Sequence, residues 1–402
     1  MRVLMVSDVY FPRVNGVSTS IETFRRALVE HGVEVRLVVP RYGSEGDLPG
    51  IVRVPGRPVP GDREDRLVGW RAMHRAVLAA AQDCDLIHIQ TPFIAHYAGL
   101  KAARQLRLPV VATYHTFFEE YLQHYAALLP ANWLKGLARR LARTQCNALD
   151  AVIVPSTAMR ERLASYGVIR EMEVLPTGIP VAQFTGGNGP ALRYKYGILS
   201  TRPVALYVGR VAHEKNIGFL LHALEYTRRL RPDILLLIAG EGPAVADLKE
   251  KVKALGLRDH VQFIGYLDRS EELPACYAAA NVFVFASRTE TQGLVLLEAM
   301  AAGLPVVALS EMGTTDILAP GRGAFSPPDD PKAFGETVAH LLNRPSAWRH
   351  LREDAPVYAS EWSDTAMAGR LAACYRRWAG AEIASESAFT AAADPLASST
   401  PL

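Results

Sequence analysis

The sequence predicts an α/β protein of two Rossmann-like domains, each a parallel sheet covered by helices on both faces. Three observations predict it. Short apolar runs recur through both halves, rich in Val, Ile and Leu, each followed by a turn and an amphipathic stretch. Strands buried on both faces alternate with helices in that way. The chain has 402 residues, too many for one ordinary core. A Gly- and Pro-rich stretch, Thr185-Gly186-Gly187-Asn188-Gly189-Pro190, separates the two sets of runs.

In chain order, the first half offers strands at residues 3–6, 34–39, 85–89, 110–113 and 151–154. The second offers 204–208, 234–238, 260–264, 282–285 and 306–309. Each run is short, β-branched and bounded by polar turns, which distinguishes it from a buried helix. The expected domains are residues 1–185 and 196–355, joined by a linker at 186–195. A helix over 356–380, with Trp362, Tyr375 and Trp378 as anchors, follows the completed second sheet and is expected to pack back on the first domain. The Ala/Ser/Pro-rich tail, 381–402, is expected to be disordered. Ligands of such sheets gather beyond the carboxyl ends of the strands, so two domains facing each other would share a cleft.

Composition narrows the function. With 49% apolar and 21% charged residues the chain reads as globular and soluble. No apolar stretch reaches the roughly 20 residues a membrane span needs. The N-terminus runs straight into a buried-type strand without signal-peptide architecture, so a cytoplasmic location is expected. Cys84, Cys146, Cys276 and Cys374 are scattered, which fits a reducing compartment and argues against a zinc site or disulfide framework. The loop carboxylates at 62–65 and 329–330 lack a second set at useful spacing, so no metal is expected. Residues 1–190 hold 22 Lys and Arg against 17 Asp and Glu, while residues 191–402 hold 22 against 24. That imbalance is too mild for a nucleic-acid binder, but it leaves a positive face for the first half.

The strongest chemical signal lies at 281–305. An apolar strand ends in the turn Ser287-Arg288-Thr289-Glu290-Thr291-Gln292-Gly293, and a helix opens at about Gly293 with Glu298 in its second turn. Free N–H groups at a helix start favour an anion. Glu290 and Glu298 flank that position and can each accept from hydroxyls. A phosphate pocket with hydroxyl acceptors at both ends suits a nucleotide sugar. Upstream, Gly209-Arg210-Val211-Ala212-His213-Glu214-Lys215 follows a strand and offers two cations able to neutralise a diphosphate, Arg210 as a planar fork and Lys215 as a point charge. Gly240-Glu241-Gly242-Pro243 also follows a strand. With Val245 it lacks the third glycine of a dinucleotide fingerprint, and it reads equally as a plain turn. In the first half, Asn15-Gly16-Val17 precedes a helix expected at 21–30, where Gly16 would permit an anion to approach or merely make the turn. His115 lies just past the strand at 110–113, either structural or functional. Over 130–143, Lys135, Arg139, Arg140 and Arg143 share one arc of a helix and Leu134, Leu137, Ala138 and Leu141 the other, with Trp133 at the edge. That reads as a core helix with a basic outer face or as a membrane-surface helix.

Together these residues resemble the retaining glycosyltransferases of family 4, which have the GT-B fold. Gly209-Arg210…Lys215, Gly240-Glu241-Gly242-Pro243 and the pair Glu290…Glu298 within SRTETQGLVLLEAMAAGLPVVA carry the match, together with Asn15-Gly16-Val17 and Thr177-Gly178-Ile179. The resemblance covers about 1–378; Gln292 stands where the family usually has Phe. It implies a nucleotide-diphosphate sugar on the second domain and the acceptor on the first. Arg210 and Lys215 would hold the diphosphate beside Gly209 and Gly240, Glu290 and the backbone of Thr291, Gln292, Gly293 and Leu294 the hexose and distal phosphate, and Glu298 the ribose hydroxyls. Gly16 would sit near the phosphates, and His115 would touch the hexose near its reacting carbon. Transfer would retain configuration without a metal. Eight residues of helix span about 12 Å, beyond the roughly 5–9.5 Å of a glycosidase carboxylate pair. The stretch 114–122 and the basic helix after it are similar to the branch that glycosylates diacylglycerol and phosphatidylinositol-type lipids. They imply a lipid acceptor and a peripheral place on the cytoplasmic membrane face through Lys135, Arg139, Arg140 and Arg143. A soluble acceptor, a non-catalytic nucleotide-sugar binder and a nicotinamide oxidoreductase are the alternatives, the last opposed by the incomplete glycine motif.

Overall fold

The structure, a computed structural model, describes residues 1–43, 45–46, 48–59, 62–115 and 131–392. The chain forms two compact units. The first comprises Met1–Pro155, Arg160–Pro176 and the chain from Met367 onward; the second comprises Ser156–Met159 and Thr177–Ala366.

The first unit is built on an eight-stranded sheet, β1 (Arg2–Val6), β2 (Glu34–Arg41), β3 (Ile51–Val59), β4 (Asp62–Val68), β5 (Leu86–Ile89), β6 (Val110–Thr113), β7 (Ala151–Val154) and β8 (Glu171–Val174), in the order β4-β3-β2-β1-β5-β6-β7-β8. Every pair is parallel except β3–β4. Its helices are α1 (Gly16–Ala27), α2 (Trp70–Ala80), α3 (Ile94–Leu106), α4 (Ala131–Asn147) and α5 (Thr157–Ser165), the last shared at its start with the second unit. Sequence reasoning misses β3, β4 and β8. Pro55, Gly56 and Pro58 break the apolar pattern of β3, and the edge strand β8, Glu-Met-Glu-Val, is half charged. The helix expected at 21–30 begins at Gly16, because the Asn15 side chain accepts from the Ser18 N–H at 2.9 Å and caps it there.

The second unit has six strands, β9 (Val204–Val208), β10 (Leu235–Ala239), β11 (Val261–Gly265), β12 (Val282–Phe285), β13 (Val306–Ala308) and β14 (Ala324–Phe325), all parallel in the order β11-β10-β9-β12-β13-β14. Around them run α6 (Val181–Phe184), α7 (Gly189–Lys195), α8 (Ile217–Leu230), α9 (Val245–Ala254), α10 (Glu272–Ala279), α11 (Leu294–Ala301), α12 (Thr314–Leu318), α13 (Pro331–Leu342) and α14 (Pro345–Ser360). Strand order reverses between β1 and β5 in one unit and between β9 and β12 in the other, the crevices where such sheets bind ligands.

Residues 186–195 are not a loose linker. Asn188 caps α7, accepting from the Ala191 N–H at 3.1 Å, and Leu192 is buried. The glycines there serve contact: a Cβ on Gly187 would lie 2.2 Å from the Pro274 oxygen, and one on Gly189 2.5 Å from that of Ala278. The helix expected over 356–380 is broken at 361–363, where α14 gives way to α15 (Asp364–Ala392). The Ile179 N–H donates to the Trp362 carbonyl and the Asp364 N–H to that of Ile179, at 3.0 and 2.9 Å, so an inserted segment interrupts the helix ladder. Beyond the break, Met367, Leu371, Tyr375 and Trp378 join the core of the first unit with Ile21 and Phe24 of α1. Helix continues to Ala392 through residues expected to be disordered, as an Ala-rich composition favours; 393–402 lie outside the described residues.

Candidate active site

The two loops at the β9/β12 reversal build the site. After β12 the chain turns through 287–292 and enters α11 from Gly293, whose φ of 93° a side chain rarely adopts. The N–H groups at the start of α11 lack acceptors within the helix. Two contacts brace the turn from behind: the Gly313 N–H donates to the Glu290 carbonyl at 2.9 Å, and a Cβ on Gly313 would lie 2.2 Å from the Thr291 oxygen. Backbone therefore presses on backbone, and the turn has one place to sit.

The loop after β9 approaches from the other side. Its Gly209 and Val211 N–H groups donate to the Ala239 and Glu241 carbonyls at 3.0 and 2.8 Å, zipping it to the loop after β10. A Cβ on Gly240 would meet the Gly209 oxygen at 1.9 Å. Gly240 is thus needed for this zipper, a role that follows from packing without a ligand. Asn216, in a left-handed conformation, donates from its side chain to the Ala286 carbonyl at 3.1 Å and ties the loop to the end of β12. That tie delivers Lys215 to Glu290, Nζ to Oε1 at 2.5 Å, with side chains 22% and 18% exposed. Arg210 is not brought to this pair; its guanidinium is mostly exposed and stands 3.9 Å from Glu214. Arg288 is engaged elsewhere, on Asp329.

Glu298 is one of the buried residues of α11. Its Oε1 accepts from Arg269 Nη2 at 2.6 Å and its Oε2 from the Tyr277 hydroxyl at 2.9 Å. Gln292 is buried too, and both ends of its side-chain amide bond one residue: Oε1 accepts from the Thr177 N–H at 2.9 Å and Nε2 donates to the Thr177 carbonyl at 2.7 Å. Its side chain therefore clamps the backbone at Thr177, which accounts for a polar residue where the family usually has Phe. Gln292→Ala is expected to cost about 1–3 kcal/mol, because it strips the partner from a buried peptide N–H and C=O. Urea denaturation of the variant checks this, and a loss below about 0.5 kcal/mol would contradict it.

In the first unit Gly16 opens α1, and a Cβ there would meet nothing within 4 Å, so the fold leaves space beside it. His115 is partly exposed, and its Nε2 lies 2.9 Å from Gln90 Oε1. Desolvation pushes its pKa down to about 4, so the ring is neutral near pH 7 and suited to a polar contact rather than to carrying charge. Behind it, buried His88 bridges the Tyr375 hydroxyl at 2.5 Å and Thr113 Oγ1 at 2.7 Å. At the β1/β5 reversal Asp8 accepts from Thr91 Oγ1 at 2.7 Å and from the Ala95 N–H at 3.1 Å. Residues 116–130, including Glu119 and Glu120, lie outside the described residues, as does the Lys135 side chain. Sequence reasoning missed Arg269, Tyr277, His88, Gln90 and Asp8. Only the position of Asp8 and Gln90 just past strand ends carried a signal.

Helix α4 differs from the expected pattern. Ala138 and Ala142 are buried, whereas Leu137 is 45% exposed beside Arg140. Small residues set the buried stripe, which turns Leu137 outward. Arg139 lies over the Tyr166 ring at 5.5 Å. Helices α2 and α3 continue this surface. Gln145 of α4 donates to the Tyr97 hydroxyl of α3 at 3.2 Å, and Lys101 of α3 lies 5.9 Å over the Trp70 ring of α2. The three helices carry eight Lys and Arg and no Asp or Glu. Trp70, Phe93 and Tyr97, 36%, 44% and 46% exposed, stand at the start of α2 and α3. Among the described residues no helix is long and apolar enough to cross a membrane, and no three His, Cys, Asp or Glu converge as metal ligands.

Two Rossmann-like units with this crevice have the GT-B architecture of glycosyltransferases. The Anabaena protein Alr3699/HepE, solved in complex with UDP, superposes with a TM-score of 0.73 over 93% of this chain and 98% of its own, at 19% identity, a likeness of fold. Glycosyltransferase Family 4 matches residues 14–183, and Glycosyl transferases group 1 matches residues 190–359. The alpha-monoglucosyldiacylglycerol synthase of Streptococcus pneumoniae is 37% identical over 77% of this chain and 71% of its own length. The GDP-mannose-dependent alpha-(1-6)-phosphatidylinositol monomannoside mannosyltransferase of Mycolicibacterium smegmatis is 30% identical over 85% and 89%. The chain belongs to glycosyltransferase family 4, and it is an enzyme that transfers a sugar.

Proposed function

We propose that this glycosyltransferase moves a hexose from a nucleotide-diphosphate sugar, of the UDP-glucose or GDP-mannose type, to a hydroxyl of a membrane lipid or glycolipid, with retention and without a metal, from the cytoplasmic membrane face. The observation that carries the lipid acceptor is the surface of α2, α3 and α4: the described side chains of these helices include seven Lys and Arg and no Asp or Glu, beside exposed Trp70, Phe93, Tyr97 and Leu137. Cations attract anionic headgroups, and aromatic rings favour the interface between headgroup and chain. The two lipid-modifying relatives support the same reading. Both names specify alpha products; the common glucose and mannose donors are themselves alpha-linked, so an alpha product means retention.

In the reaction the C1–oxygen bond to the diphosphate breaks and a bond from the acceptor oxygen to C1 forms on the same face. The acceptor proton passes to the departing phosphate. Lys215 and Arg210, with the N–H groups at the start of α11, stabilise the charge that develops there, which replaces a metal in that role. Glu290 accepts from hexose hydroxyls, neutral His115 contacts the hexose, and Glu298 faces the ribose.

A panel of nucleotide sugars offered with diacylglycerol, phosphatidylinositol and soluble sugar acceptors tests the reading. Transfer to lipid in the presence of EDTA is expected; transfer only to soluble sugars would overturn the lipid acceptor. Charge removal at Arg139, Arg140 and Arg143 is expected to weaken binding to anionic liposomes about 100-fold, at about 1 kcal/mol per cation near the surface. Unchanged co-sedimentation of that triple variant would argue against a membrane role for α4.

A further inference from the structure

The nucleoside end of the site contains a residue that the family motif does not include. Arg269 lies between β11 and α10, in a loop held by its own capping turn: the Asp268 carboxylate accepts from the Ser270 N–H at 2.8 Å and the Glu271 N–H at 3.3 Å. The Arg269 carbonyl accepts from Gln183 Nε2 at 2.9 Å. With its backbone fixed, the side chain reaches Glu298 Oε1 while remaining 47% exposed. On the other oxygen, Tyr277 is fully buried, its ring seated between Phe184 and Phe283 at centroid distances of 5.9 Å each.

A carboxylate offers about four acceptor positions, two on each oxygen. Arg269 takes one position on Oε1 and Tyr277 one on Oε2, which leaves one on each. Two neighbouring acceptor positions match the vicinal hydroxyl pair of a ribose. The tyrosine cannot move without disturbing the aromatic core. The arginine, half in water, both holds the carboxylate and forms part of the rim.

We propose that Arg269 is a positioning residue for the donor: with Tyr277 it fixes the Glu298 carboxylate so that its two remaining acceptor positions receive the ribose diol, and it thereby sets selectivity for ribonucleotides. This rests on the reading of Glu298 as the ribose-facing carboxylate. Removing the guanidinium leaves the carboxylate free to rotate and to recruit water, so the diol contact weakens while the phosphate and hexose contacts persist.

Calorimetric titration of the full-length protein with UDP, GDP and ADP, each beside its 2′,3′-dideoxy form, tests it without requiring transfer. The parent protein is expected to prefer the ribose form of the diphosphate it binds. Arg269→Ala is expected to weaken that form about tenfold, the worth of a charge-assisted hydrogen bond, and to leave the dideoxy form unchanged. Arg269→Lys retains part of the preference, and Tyr277→Phe erodes it in the same direction. In turnover the loss falls on KM, with kcat within about twofold. Equal weakening of both forms, or an unaltered preference, would overturn the role of Arg269. A parent protein indifferent to the diol would overturn the Glu298 reading itself, while the lipid-acceptor panel could still succeed. Should the alanine variant not fold, the lysine variant decides: a full parental preference together with parental KM counts against the proposal.

Discussion

Lys215→Ala and Glu290→Gln are each expected to lower sugar turnover by about 100- to 1,000-fold, the cost of removing one preorganised electrostatic contact from a transferase site. The two residues lie on loops from strands that are neighbours in the sheet yet 75 positions apart in sequence, and their side chains meet at 2.5 Å. Lys215 is oriented by Glu290, and on the proposed reading its charge is held ready for the leaving diphosphate. Without Lys215 that charge is left to Arg210, mostly exposed and therefore screened by water. The Gln variant keeps the shape of residue 290 but loses the charge that aims Lys215 and its full strength as a hydroxyl acceptor. Steady-state kinetics with the preferred donor, beside thermal melts, measure both effects. Turnover within about threefold of the parent for either folded variant would remove that residue from the assignment.

The second large effect concerns acid. Burial pushes His88 down to about 3 and His96 down to about 4 from an ordinary 6.5, while burial pushes Asp8 up from 3.8 to about 6. Below pH 6.5 the unfolded chain therefore binds histidine protons that the native first unit refuses, and stability falls as pH falls. Asp8 acts oppositely, since below pH 6 the native state holds a proton that the unfolded chain accepts only near pH 3.8. Two depressed histidines, assisted by His115, outweigh one raised carboxyl. The net uptake of one to two protons on unfolding corresponds to about 1–3 kcal/mol lost per pH unit between pH 6 and 4. Urea denaturation across that window reads it. His88→Asn, which cannot titrate, is expected to flatten the slope by about 1 kcal/mol per pH unit. A parent protein equally stable at both ends would contradict the desolvated state of these rings.

Much of the fold is legible in the sequence. Runs such as Val204–Val208 and Val282–Phe285 mark strands buried on both faces, and no other reading suits short β-branched segments between helical stretches. The strand, polar turn and helix start around Glu290 are legible because they follow in immediate succession, a local arrangement. Where pattern failed, the cause was tertiary. Gly187 and Gly189 look like linker residues, yet they are small because α10 lies against them. The sequence places the backbone of Gln292 at the turn but is silent on its side chain, whose amide pairs with Thr177, 115 positions earlier. Leu137 belongs by helical count to a buried face, but the buried stripe of α4 follows its alanines.

The sequence by itself determined the two doubly wound units, the family and which carboxylates and cations lie on the loops after β9 and β12, because periodicity, turn chemistry and motif spacing are properties of neighbouring residues. Only the tertiary structure decided which of those groups meet. It joined Lys215 to Glu290, set Arg269 and Tyr277 on Glu298, left Arg210 apart and assembled three carboxylate-free helices into one surface. Those pairings depend on sheet order, which brings β9 beside β12 and α3 beside α4, and strand order is fixed by long-range packing that no local pattern records.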